Sequence, residues 1–399
     1  MKNLFACVVL AVFSAQAQGQ TFTVGGPSGQ FALIQDAIDS PLVPPGATLL
    51  VAQGGHAEVN LTKSLNILSD SGVDFTIGKL TIGPVSDFAL VGARVSFLDV
   101  NGVTGRSLIE GCTFKSGPAT IRNCEELLVQ RSTFLGQSAC YPDGPLLVAT
   151  GAAEVRNARV VFTDCYFEGG DLADEFPLNP LLQCEVHYPV AGNPLVISDQ
   201  SEVVLAGCTL QGYGLVGFTG FTPPAVLVSD SRVTIRGNQS HELRSNLPEV
   251  IQMDALSTLK VSGVELIFDG VSVGRAGMPP GGMTPSIPEP FLVLGGGLLP
   301  GDTLTAAHYA PLGAAIFSAI SFGPGSISYP LGSEALWLDL NQVWQVQSLI
   351  GLGHEVEQTF SASLPTTPTL AGLQVGFQSI VFHGSNAWLT NPVTLILGA

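Results

Sequence analysis

One eight-residue pattern recurs along this chain and narrows the folds open to it. Ser107-Leu-Ile-Glu-Gly-Cys-Thr-Phe114, Leu127-Leu-Val-Gln-Arg-Ser-Thr-Phe134, Val160-Val-Phe-Thr-Asp-Cys-Tyr-Phe167, Val203-Val-Leu-Ala-Gly-Cys-Thr-Leu210 and Val233-Thr-Ile-Arg-Gly-Asn-Gln-Ser240 align with one another. In the last four, two apolar residues two apart precede a two-residue break, and a second inward pair such as Cys165 and Phe167 follows. Alternation turns those side chains to one side of a strand, and the break lets the chain turn onto a second sheet. Arg94-Val-Ser-Phe97 and Leu259-Lys-Val-Ser-Gly-Val-Glu-Leu266 read as weaker copies. Phe97 to Phe114 is 17 residues and Phe114 to Phe134 is 20, about one coil of a β-solenoid. The next steps, Phe134 to Phe167 and Phe167 to Leu210, are 33 and 43, so insertions are expected in both. A single coil cannot bury its own face, whereas stacked coils share a continuous core. The pattern therefore predicts a right-handed parallel β-helix.

The N-terminus supports the same fold and adds a destination. Met1-Lys2-Asn3, the apolar run Leu4 to Phe13 and the small-residue site Ala15-Gln16-Ala17 have the layout of a secretory signal peptide, with the mature chain beginning near Gln18. The expected location is outside the cell or on its surface. Beyond residue 17, Leu33, Ile34, Ala37 and Ile38 have helical spacing and are followed by strand-like stretches broken at Pro45-Gly46 and Gly54-Gly55. A strand, a short helix and then such strands resemble the entry of the pectin-lyase-like β-helix superfamily. That resemblance implies a helix laid over the open end of the core, where unpaired strand edges would otherwise invite aggregation.

Residues 18–273 are thus assigned to the β-helix. Gly274 to Pro290 is rich in Pro and Gly and reads as a linker. From 291 to 399, short β-type stretches (Phe291–Leu294, Ala314–Ser321, Ala335–Leu340, Thr359–Leu364, Gln374–Phe382, Val393–Leu397) predict a small antiparallel β-sandwich. Its last part, from Ala362 to Gln378 with Asn391-Pro392, resembles a C-terminal β-sandwich module of large secreted bacterial proteins, which implies an accessory or surface role.

Charge excludes several partners. The formal net charge is −17, and no Lys or Arg follows Arg275, so nucleic-acid and polybasic membrane-binding roles are ruled against. No segment is long and apolar enough to predict membrane insertion.

Chemistry is harder to find. The family resemblance implies sugar lyases, hydrolases, esterases and many non-enzymes, so the fold alone assigns no reaction. A lyase needs carboxylates for calcium and a basic residue beside them. Arg106, Arg122, Arg131, Arg156 and Arg159 are the basic candidates, and no acidic triplet stands at coil spacing near them. Asp164 occupies the corner of its repeat, where its equivalents are Gly111, Arg131 and Gly207. No catalytic residue, metal site or resident cofactor is therefore assigned. The most polar insertion carries Glu168, Asp171, Asp174 and Glu175, with His187 downstream; these residues either bind calcium or a sugar, or simply solvate a loop. Of the six cysteines left after Cys7, Cys140 and Cys184 lie in the two insertions and form the expected disulfide. Cys112, Cys165 and Cys208 share an inward corner position and read as a buried stack. Three functions follow: a non-catalytic protein binding a polysaccharide or cell-surface component, a carbohydrate-active enzyme with an unfamiliar site, or a structural envelope component.

Overall fold

The computed structural model describes residues 20–72, 74–137, 150–170, 192–212, 224–236, 242–245, 250–262, 265–268, 271–275, 291–296, 303–310, 312–322, 330–331, 334–335, 343–350, 358–363 and 374–396. The body is a right-handed parallel β-helix. Its first sheet (sheet I) stacks ten parallel strands from Thr21–Val24 to Thr258–Ser262. Its second (sheet II) begins with long strands, Gly55–Leu61, Phe75–Ile82 and Ala93–Asn101. From the next coil onward each long strand is split in two. Ala93–Asn101 pairs with both successors, setting Val95 against Phe114 and Val100 against Ile121.

The repeat aligns in space as it does in sequence. Leu127 lies beside Ser107 and Val160, Val160 beside Val203, and Val203 beside Val233. At the next corner Phe114, Phe134, Phe167 and Leu210 are in register. Two expectations are corrected. Leu243, not Ser240, takes the place opposite Leu210, because that corner is three residues longer. Val95, not Phe97, underlies Phe114; Phe97 falls at a bend of its long strand, faces outward and lays its ring over Gly117.

The core follows from this register. Phe114, Phe134 and Phe167 stack with centroids 4.8 Å apart at each step, and Phe162 meets Phe134 and Phe167 edge-on. Around them run rows of buried Leu, Ile and Val, one apolar residue per coil.

The corners carry their own ladders. Between sheet I and sheet II the turning residue is left-handed in each of Gly92, Gly111, Arg131, Asp164 and Gly207. At the return corner Asn157 donates to Asn123 and Asn123 to Asn101, each at 2.8 Å. Beside them Ser201, Ser231 and Ser257 accept the backbone N–H of the coil before.

Each end carries an element that departs from the parallel repeat. The helix Ile34–Asp39 buries Ile34, Ala37 and Ile38 over the first coil. Leu33 is the residue before the helix and stays about half exposed, so it lies off the apolar face. Asp36 accepts the Leu33 N–H, and buried His56 accepts the Ile34 N–H, so two free donors of the helix start are satisfied. At the far end, Val271–Arg275 folds back antiparallel on Glu265–Phe268 and ends the parallel stack.

The C-terminal part forms antiparallel sheets, as expected for a sandwich. Phe291–Gly296, Thr303–Tyr309 and Gln358–Ser363 make one; Ala315–Phe322, Val343–Ile350, Gln374–His383, Asn386–Leu389 and Val393–Ile396 make the other. His308 on the first sheet reaches Ser318 and Ser379 on the second at 2.9 and 2.7 Å, which ties the two faces together. Ala335 sits in a two-strand hairpin with Pro330–Leu331, while 336–340 lie outside the described residues.

This part does not hang free of the β-helix. Asn391, fully buried, binds both backbone groups of Leu292 and donates to Thr163 Oγ1 at 3.2 Å. Val393–Ile396 lies against Glu126–Gln130. The outward side of sheet I is correspondingly apolar and buried: Leu68, Ala89, Leu108, Leu128, Val161 and Val204 form a second cluster there.

Along one margin of sheet I the charges alternate from coil to coil, in the order Arg106, Glu126, Arg159, Glu202, Arg232. Glu126 is held between Arg106 and Arg159 and is mostly shielded from water. Two stability effects are expected in urea titrations of the purified chain. Phe134→Ala removes the middle ring of the stack and should cost about 3–5 kcal/mol. Glu126→Gln leaves two guanidinium groups facing each other and should cost about 2 kcal/mol.

Candidate functional site

Each of the five arginines singled out as a possible base is held by a carboxylate. Arg106 and Arg159 share Glu126, Arg122 binds both oxygens of Asp99 at 2.7 and 2.9 Å, Arg156 binds Glu154, and Arg131 binds Glu110. Among the described residues, no group of three His, Cys, Asp or Glu is placed to hold a metal ion. Asp171, Asp174, Glu175, His187, Cys140 and Cys184 lie outside the described residues. Glu168 is described, and its carboxylate accepts the Tyr166 hydroxyl at 2.8 Å. Tyr166 also meets Gln211 of the next coil at 2.9 Å.

These three residues belong to an open strand face. Thr113, Thr133, Tyr166 and Thr209 follow one another across successive strands of sheet II, all partly exposed. The long segments 136–152, 169–194 and 212–225 all leave from the far end of this row, on three consecutive coils. The equivalent segment one coil earlier is only 115–118. The third of these segments lies beyond Leu210, where the spacing series of the repeat ends.

The roots of the first two insertions are locked by backbone contacts. Gly136 donates to Glu168, Gly170 to Thr150, and Ala152 to Asn193. A Cβ on Gly136, Gly169, Gly170 or Gly192 would come within 2.4 Å of a neighbouring backbone atom, so only glycine allows this approach.

At the near end of the same row lies a shallow recess of about 410 Å³, lined by Arg131, Ser132, Thr133, Asp164, Tyr166 and Thr209 among others. Arg131 and Asp164 are the corner residues of adjacent coils. Although Asp164 is surface-accessible, the recess walls strip water from its carboxyl and push its pKa up, an effect the Arg131 guanidinium partly offsets. Burial in turn lowers the Arg131 pKa, with Asp164 opposing. Arg131 turns away from the solvent to pair with Glu110, whose side chain is 2% exposed. This constellation was missed in the sequence. Asp164 was compared only with its own corner row, and Glu110 stands one position before that corner in the preceding repeat.

Below the recess are the corner cysteines. Cys112, Cys165 and Cys208 are buried and free, with Ser132 occupying the equivalent place in the coil between the first two. Each Sγ points at the carbonyl two residues before it. Burial raises the Cys112 thiol to about 12, Cys124 to about 11 and Cys165 well above its ordinary range. His308 sits near two hydroxyls, but all three residues are buried within the C-terminal sandwich, where no substrate reaches them.

A scan against protein-family models finds no match, and a search of curated proteins finds none either. Function therefore rests on the geometry of the face. For the thiols, peptide mapping should show Cys112, Cys124 and Cys165 unmodified by Ellman's reagent at pH 8 in the native chain, and modified in guanidinium. Reaction in the native state would show that the corners open.

Proposed function

We propose that this chain is an exported member of the pectin-lyase-like β-helices that binds a polysaccharide or cell-surface glycan without transforming it. The observation that carries this reading is the departure of three consecutive insertions from the end of one strand face lined by Thr113, Thr133, Tyr166, Thr209 and Glu168. A rigid solenoid keeps such a face straight, and its coil spacing presents hydroxyls and amides at regular intervals to an extended polymer. Sugar hydroxyls both donate and accept, as do the groups on this face. The ion-paired Arg106, Arg122 and Arg156 favour binding over lyase chemistry, since a neighbouring carboxylate holds a guanidinium in its protonated form, which cannot act as a base. Calcium is not required by this reading, although Asp171, Asp174 and Glu175 keep it in the test.

The test is a titration of the mature chain, beginning at Gln18, against neutral and acidic polysaccharides with and without calcium. Saturable binding is expected, with no new reducing ends and no unsaturated products. Tyr166→Ala should weaken binding about tenfold, equivalent to about 1.4 kcal/mol. Product release that is lost in Asp171→Ala or Asp174→Ala would replace this reading with an enzymatic one.

A further inference from the structure

The corner between the two sheets poses a question that the repeat does not answer. In Gly92, Gly111 and Gly207 the left-handed turn is made by glycine, which adopts it without strain. In the two coils between Gly111 and Gly207 the same turn is made by Arg131 and Asp164, with φ of 49° and 52°. A non-glycine residue there costs on the order of 1 kcal/mol, less for Asp, which visits this region more readily, than for Arg. Two adjacent coils therefore forgo the easier residue, and both side chains line the recess.

Their charges are not equivalent. Glu110 is buried and cannot be left without a counter-charge, so Arg131 is committed to it. Arg131 also faces Asp164, so one guanidinium serves two carboxylates and the mouth keeps one net negative charge, with the Glu168 carboxylate further along the same face. An anionic ligand would meet these carboxylates and a guanidinium already shared between Glu110 and Asp164. A ligand with neighbouring hydroxyls would instead donate two hydrogen bonds to the two Asp164 oxygens, while Thr133 and Thr209 offer hydroxyls around it and the Tyr166 ring forms a wall. The recess volume falls within the ordinary range for small-ligand sites.

We propose that the Arg131–Asp164 recess is a subsite for neutral sugar rings bearing adjacent hydroxyls, and that it discriminates against uronate, sulfate and phosphate groups. The proposal rests on the glycan-binding reading and adds to it the charge class of the ligand. Arg131 acts as a positioning residue: it neutralises Glu110 and fills the wall beside Asp164.

The decisive variant is Asp164→Gly, which recreates the corner already present at Gly111 and Gly207 and so should fold. Asp164→Asn keeps the shape and removes only the charge. Calorimetric titration of the full mature chain would use neutral oligosaccharides of glucose, mannose and galactose alongside oligogalacturonate. The expected result is binding of at least one neutral oligosaccharide, oligogalacturonate at least tenfold weaker, and a loss of at least tenfold in both variants while both still unfold cooperatively in urea. Neutral-sugar binding that survives Asp164→Gly would overturn the recess and leave the glycan-binding reading standing. Equal or tighter binding of oligogalacturonate would overturn the charge assignment. If the wild-type chain binds no glycan of either class, both readings fall together.

Discussion

Everything in this molecule depends on in-register stacking. Each residue of a coil sits about 4.8 Å above its counterpart in the coil before, so a side chain is judged chiefly by whether it tolerates that neighbour. Apolar residues profit at once, as the rings of Phe114, Phe134 and Phe167 show. Asn and Ser profit by donating to the copy before or accepting from it, as at Asn101, Asn123 and Asn157 or at Ser201, Ser231 and Ser257. Charges profit only if they alternate, and the series Arg106, Glu126, Arg159, Glu202, Arg232 does so. A slip by one coil would oppose like charges along that margin, so the same series that adds modest stability also penalises the wrong register.

The same constraint explains why the C-terminal module is docked. A sheet whose outward rows are Leu68, Ala89, Leu108, Leu128, Val161 and Val204 cannot face water along most of a solenoid without a large apolar exposure. The covered side of sheet I also hides Glu110, Gln130, Thr163 and Arg236, polar groups that need partners once removed from solvent. Asn391 meets that need for Thr163 while fastening the strand start at Leu292, so one amide serves both the sandwich and the junction. The Pro/Gly run from Gly274 to Pro290 suggested two bodies joined by a tether. The apolar outward positions of sheet I carried the opposing signal, because a strand with both faces apolar is buried on both.

Much of the fold was legible in the sequence because a solenoid writes its spatial neighbours as sequence repeats. The alignment of Leu127, Val160, Val203 and Val233 is the register of sheet I. The misplacements occurred where the repeat is interrupted: Phe97 sits at the bend of an unsplit strand, and Ser240 precedes a corner that is three residues longer. The ion pairs were illegible for a different reason. Arg131 and Glu110 are 21 residues apart and occupy different rows, so neither motif comparison nor local spacing brings them together. Glu168 was picked out with the acidic insertion that follows it, yet its described contact is with Tyr166, two residues back on the strand face.

In such a fold, departures from the repeat carry information that the repeat itself cannot. A position filled by glycine in three coils and by Arg131 and Asp164 in the two between has given up conformational ease and gains in return the attraction of opposite charges on adjacent coils. Long insertions on three consecutive coils likewise carry a cost in loop entropy. Both departures border the same row of Thr133, Tyr166 and Thr209, one at each end of short strands only two or three residues long. The glycines at the insertion roots show that the approach of these segments is sterically specified rather than left loose, since Gly136, Gly169, Gly170 and Gly192 each admit no side chain. Both departures therefore border one face, and binding there is what we propose they serve.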